Sequence, residues 1–147
     1  MLKRMAIAIG LCVMSAPIMS AQTKTIDDGA CHVTVPADWK ASPTLHMAKA
    51  AGPGMFQALV RTINAEHYAM TMSMVKSGQT GALNAKILDE NGKRVLIQTE
   101  LKTGNKTILH YQLMTKGSPA CQGIVDFDDP AKADQARKIV ESTTGAK

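Results

Sequence analysis

The sequence predicts an α+β domain: an antiparallel sheet of about six to seven strands, with a short central helix and a C-terminal helix packed on it. Three observations carry that expectation. Apolar and polar residues alternate through most of the chain after residue 21, the period of half-buried strands. Glycine- and proline-rich turns interrupt the alternation at short intervals. Only the last segment repeats its apolar residues every three to four positions from an acidic residue and a proline, which is how an amphipathic helix begins.

Taken in order, Cys31, Val33 and Val35 alternate with His32 and Thr34, a strand that stops at Pro36-Ala37-Asp38-Trp39. Residues 45–50 and 55–63 flank Ala51-Gly52-Pro53-Gly54 and predict a hairpin. Residues 67–76 read as a fourth strand. Residues 80–90, with Leu83 and Ile87 four apart and Asn91-Gly92 behind them, predict the short helix. Val95, Ile97, Thr99 and Leu101 share one face of the next strand, opposed by Arg94, Gln98 and Glu100. The turn Thr103-Gly104-Asn105 leads to a strand over 106–116 with Leu109, Tyr111 and Leu113 on one side. After Gly117-Ser118-Pro119, Cys121, Val125 and Phe127 align on the strand over 121–127. Asp129 then caps a helix whose first residue is Pro130 and whose stripe is Ala133, Ala136, Ile139, Val140 and Thr143.

The N-terminus carries a different signal. Lys3 and Arg4 precede an apolar run over 5–14 that continues through Pro17 and Ile18 to the small residues Ser20 and Ala21. That is the pattern of a cleavable secretory signal peptide, too short for a membrane span, and cleavage is expected after Ala21. Leu11 before Cys12 is the wrong residue for a lipid anchor, and the apolar run continues past it. Residues 22–147 are then one globular domain, periplasmic or secreted, and no later stretch is apolar enough to cross a bilayer. Cleavage removes two of the 17 basic side chains and one of the three cysteines, leaving Cys31 and Cys121 as a pair in an oxidising compartment. Both sit on apolar strand faces, so a structural bridge between them is expected. Closing a loop of that length stabilises a fold by roughly 4 to 5 kcal/mol in the chain-entropy model.

The strand Val33-Thr34-Val35 with Pro36-Ala37-Asp38-Trp39, the central helix and the proline-started last helix resemble the PsbP-like fold. That fold serves extrinsic photosystem subunits and unrelated adaptor proteins, so the resemblance implies binding or assembly and not catalysis. It brings no functional residue, because no motif here matches one of that family's.

Composition excludes some classes. The basic residues are scattered among acids, and one Trp, two Tyr and two Phe are few platforms for stacking bases, which argues against nucleic-acid binding. No G-x-S-x-G elbow, H-E-x-x-H pair or glycine-rich phosphate loop occurs, and no free cysteine remains after processing, so no enzyme is expected. Asp126 and Asp128, with Asp129 beside them, read as the end of a strand and the cap of the next helix. The expected role is that of a binding domain for a protein partner or small ligand, without a cofactor. Trp39 is a candidate partner-binding anchor, since Trp is over-represented at interface hot spots; as a single Trp it equally suits a plug over one end of the sheet.

The alternative is a copper protein. His67-Tyr68-Ala69-Met70-Thr71-Met72-Ser73-Met74 is rich in thioethers, soft ligands that suit Cu(I), and Met-Thr-Met resembles part of the methionine motif of small periplasmic copper chaperones. On a strand Met70, Met72 and Met74 share a face, about 6.6 to 6.8 Å apart, while His67 faces the other way. Such a strand is also what core packing looks like. His32, His46, His67 and His110 fall on four different predicted strands without the short spacing of zinc motifs. The mass of the protein recovered from its own host tests the processing: a chain starting at Gln22 and two hydrogens light is expected, whereas a retained leader or an added lipid refutes cleavage after Ala21.

Overall fold

The computed structural model describes residues 21–78 and 84–145. The proposed signal peptide, apart from Ala21, and Leu83 of the expected central helix lie outside them.

Ten strands form two antiparallel sheets. The smaller contains β1 (Thr23–Asp27), β2 (Cys31–Pro36) and β10 (Thr144–Gly145), with β2 central. The larger contains β3 (Lys40–Thr44), β4 (Met47–Ala51), β5 (Gln57–Ile63), β6 (Lys86–Glu90), β7 (Arg94–Thr103), β8 (Lys106–Thr115) and β9 (Ala120–Phe127), in the order β3-β4-β5-β9-β8-β7-β6. Helix α1 (Ala65–Ser77) joins β5 to the β6 side, and a 3-10 turn (Pro130–Lys132) runs into α2 (Ala133–Glu141). The expected α+β class, the predominantly antiparallel sheet and the terminal helix are all present.

Alternation decides the core. The inner face of the large sheet presents Ala48, Ala50, Ala58, Val60, Leu96, Leu113, Val125 and Phe127, all buried against Val33 and Val35 of the small sheet and against Ala136, Ile139 and Val140 of α2. The stripe read from the sequence is thus the packed face of the last helix, and the Asp129 carboxylate accepts from the Ala131 amide, capping the turn before it. Cys31 and Cys121 are both fully buried and bonded, with Cα atoms 5.6 Å apart, and they join the two sheets. Beside them the Asp28 carboxylate accepts from the amides of Ala30 and Cys31 at 3.0 and 2.7 Å and from the Thr62 amide and hydroxyl at 2.5 and 2.9 Å. Burial opposes its ionisation, but those four donors outweigh it and hold the carboxyl below its usual range.

Trp39 is 3% exposed, in edge contact with Phe56 at 4.6 Å between ring centres. It plugs the core, which corrects its candidacy as an exposed anchor. Its indole lies so close to Gly52 that a Cβ there would come within 2.4 Å of it. Phe56, Phe127 and Tyr111 continue the row, with centroids 6.1 and 5.2 Å apart.

Two segments depart from expectation. Residues 67–76 are helix, not strand. Asn64 caps α1, its side-chain oxygen accepting from the His67 amide at 2.7 Å, and Gly78 ends it in the left-handed region at φ 71°. Tyr68, Met72 and Val75, spaced four and three, turn to the sheet and pack with Ile63, Val95, Ile97, Met114 and Ala120. Residues 86–90 are strand, not helix: Ile87 pairs with Ile97 and Glu90 with Val95, with a bulge between Ile87 and Asp89. Gly92 therefore serves a hairpin, in which Asn91 accepts from the amides of Lys93 and Arg94. The strands β1 and β3 lack a readable alternation; β3 is an edge strand containing Pro43, where a missing amide is tolerated.

Thr143, just past α2, lies on Gly123 of β9, where an added Cβ would come within 1.8 Å of the Thr143 hydroxyl. Gly123→Ala should lower stability by about 1 to 3 kcal/mol by overpacking, read from the urea midpoint at unchanged slope. A change within about 0.5 kcal/mol would mean that α2 does not dock this closely.

Candidate functional site

The outer face of the large sheet is only half covered. Helix α1 lies over the end carrying Ile63, Ala120, Met114 and Val95, and the register sets polar side chains in rows across the rest. Gln57, Asp126, His110 and Thr99 are successive partners on β5, β9, β8 and β7. Two residues further along each strand come Leu59, Ile124, Gln112 and Ile97, and then Arg61 opposite Gln122. Same-face neighbours on adjacent strands stand close enough to interact directly.

They do so here. His110 Nδ1 lies 2.5 Å from Asp126 Oδ1, and Gln57 Nε2 donates to Asp126 Oδ2 at 2.8 Å. Burial opposes ionisation of Asp126, but His110, Gln57 and the nearby charge of Lys49 outweigh it and hold the carboxyl below its usual range. An ionised Asp126 fixes the tautomer, with His110 donating from Nδ1 and turning Nε2 outward. Arg61 Nε donates to Gln122 Oε1 at 2.6 Å, and its Nη2 lies 3.4 Å from His67 Nε2. Burial first and then the Arg61 charge push the His67 ring down, so it stays neutral and accepts from the guanidinium.

Two cavities open between these rows. One of about 300 Å³ is lined by Arg61, His67, Met74, His110, Gln112 and Gln122 among others; one of about 320 Å³ by Met55, Gln57, Leu101, Ile108, His110 and Asp126 among others. Both are lined by Thr99 and His110, so they adjoin across those side chains as a two-part groove. A third recess, about 620 Å³, lies at the start of α1 between Ile63, Ala65, Tyr68, Pro119 and Ala120, with Lys116 at its rim. Its wall is mostly apolar, and it includes Tyr68, whose buried hydroxyl has no hydrogen-bond partner among the described residues.

The residues expected to hold copper are redistributed by the helix. Met72 is 7% exposed and belongs to the core under α1, while Met70 and Met74 are 55% and 43% exposed. A rotation of about 100° per residue separates the three sulfurs that a strand would align. His67 and Met74 share the groove with His110, and Met70 does not line it. Of the other histidines, His32 sits on β2 and His46 before β4, away from the groove. Asp126 stands next to last in β9, at the strand end read from the sequence, and there it anchors His110. The residues the sequence did not single out are Gln57, Arg61, Gln112 and Gln122, which no local motif marks and only the register unites.

The fold thus defines an α+β domain in which a large antiparallel sheet carries a small sheet and a helix on one face and one helix on the other. In fold it is similar to cyanobacterial PsbP from Synechocystis sp. PCC 6803, known from a solution structure, at 13% identity and a TM-score of 0.47 over 93% of this chain and 100% of that one. No protein-family model matches the chain, and no curated protein matches it.

Because Asp126 ionises more readily folded than unfolded, its contribution is present above about pH 3.9, the unfolded value, and is lost as pH falls through the lower folded one. Asp126→Asn should be less stable than the parent by about 1 kcal/mol near neutral pH, with the gap closing in acid, as measured by urea unfolding at both. A gap that persists at about pH 2 would show that the carboxylate's charge is not what stabilises the row.

Proposed function

We propose that the chain is exported and acts as a binding domain, taking a protein partner or small ligand on the open half of the outer sheet face without catalysing a reaction. Export is supported by the basic and apolar pattern of residues 1–21 and by the buried Cys31–Cys121 bond, which an oxidising compartment favours. No helix among the described residues is long and apolar enough to cross a membrane.

One observation carries the binding reading. Arg61 is half buried, and its partners are two neutral groups, Gln122 and His67; among the described residues no carboxylate pairs with it. A partly desolvated cation without a counter-ion is poised for an external acceptor. The surrounding Gln57, Gln112, Gln122 and Thr99 are amides and a hydroxyl, which orient a ligand by hydrogen bonds but do not carry protons in the physiological range. Asp126 orients His110 in the same service.

A photoreactive residue in place of Leu59, on the outer face between the two polar rows, should form an adduct in the protein's own host. The same residue in place of Lys138, on the exposed side of α2, should not. Adducts at both positions or at neither would overturn the reading.

A further inference from the structure

The groove has a charged end and an apolar end, although Met74, 43% exposed, also borders the charged one. At one end stands Arg61, with Gln122 and His67 holding two of its donors. At the other, Met55 and Leu101 are 43% and 41% exposed, large apolar side chains beside Ile108 that the fold leaves open. Between them lie the hydrogen-bonding groups of Gln112, Thr99, His110 and Gln57, and the Asp126 carboxylate, which His110 and Gln57 already engage. Arg61 and Gln57 are four residues apart on β5, about 13 Å along the strand. Leu101 and Ile108 stand one row beyond Thr99 and His110, so the apolar end is about 20 Å from Arg61, about six residues of extended chain.

We propose that the groove captures the carboxyl end of an extended peptide, with the terminal carboxylate on Arg61, the preceding peptide groups on the amide and hydroxyl rows, and an apolar side chain about five residues upstream on Met55 and Leu101. The inference rests on the binding reading above and adds the class of ligand. A bare anion would leave the apolar end uncovered. An apolar molecule without an acid group would leave Arg61 desolvated and unpaired, which costs more than it gains. A metal cation would meet the guanidinium directly, because Arg61 already occupies the ring nitrogen that His67 would offer. A peptide end supplies all three chemistries in the right order, and capture of a terminal carboxylate is an established way to recognise chain ends.

The test is an NMR titration of the disulfide-bonded protein with two pools of N-acetylated hexapeptides carrying Leu at the first position, one with free carboxyl ends and one amidated. The acid pool should bind at least about ten-fold more tightly and shift the Arg61 Nε–H resonance, because loss of a charge-assisted bond is worth at least that much. Arg61→Gln should abolish the preference, Arg61→Lys should retain part of it, and Met55→Ser with Leu101→Ser should weaken both pools alike while leaving the acid preference. Unchanged thermal unfolding of each variant excludes loss of the fold as the cause. Equal binding of the two pools, binding of neither, or a preference that survives Arg61→Gln overturns the inference. An adduct at position 59 alongside any of those results would leave the binding reading standing and remove only the peptide.

Discussion

The join between the two sheets is the constraint on which the other contacts depend. It is made at one row of the large sheet, where Thr62 of β5 stands opposite Cys121 of β9. Cys121 is bonded to Cys31 at the start of β2, and Thr62 receives the Asp28 carboxylate from the turn just before it. A covalent bond and a carboxylate with four donors therefore fix the same end of the small sheet. The remainder of that sheet follows by alternation: with Cys31 inward, Val33 and Val35 must also face inward, and they bury completely. Strand β10 returns from α2 to pair His32 and Cys31, so the terminal helix is fastened to the same corner.

The inner packing determines what the outer face can be. A side-chain period of two means that each core residue on β5, β8 and β9 has a neighbour pointing the other way. Ala58 and Val60 inward leave Gln57, Leu59 and Arg61 outward; Val125 and Phe127 inward leave Ile124 and Asp126 outward. Helix α1 has thirteen residues, about 20 Å, and its apolar side is occupied with Ile63, Met114 and Ala120 at one end of the strands. The other end is left with half-exposed polar side chains around the buried Thr99 and Gln122. His110 meets Asp126 because β8 and β9 pair in this register and no other; a slip of one residue would send the histidine into the core.

Much of this was legible in the sequence, and the exceptions have physical causes. The strands β7, β8 and β9, the α2 stripe and the cysteine pair could be read because apolar and polar residues alternate along much of each, although β7 and β9 begin buried on both faces, between the main core and α1. Helix α1 was misread because three methionines at alternate positions imitate a strand, although only Met72 faces the core. The informative residues were outside the run: Asn64 before it and Gly78 after it, a cap and a stop of the kind helices require. Residues 86–90 were misread for the opposite reason, since one spacing of four is too short to distinguish a helix from a bulged strand. The site was not legible at all. Arg61, His110, Gln122 and Asp126 lie up to 65 positions apart in sequence, and each is an ordinary outward residue of its own strand. They become a group only through strand order.

The aromatic residues show why such a face must work by polar contacts. Trp39, Phe56, Phe127 and Tyr111 form one row through the inner core, and Tyr68 is packed beneath α1. The chain contains no other aromatic residue, so none is left for a surface anchor of the kind that dominates tight interfaces. What lines the groove is one guanidinium, two imidazoles, one carboxylate, several amides and the exposed apolar side chains of Met55, Met74 and Leu101. Such groups give directional, charge-assisted recognition over a small area, with affinity limited by how little apolar surface can be covered. A ligand held this way is discriminated chiefly by where its acceptors stand, because a misplaced group leaves Arg61 or Gln122 desolvated without a partner. The same core packing that consumes the aromatic side chains therefore pushes the outer face toward selectivity for polar geometry and away from broad hydrophobic adhesion.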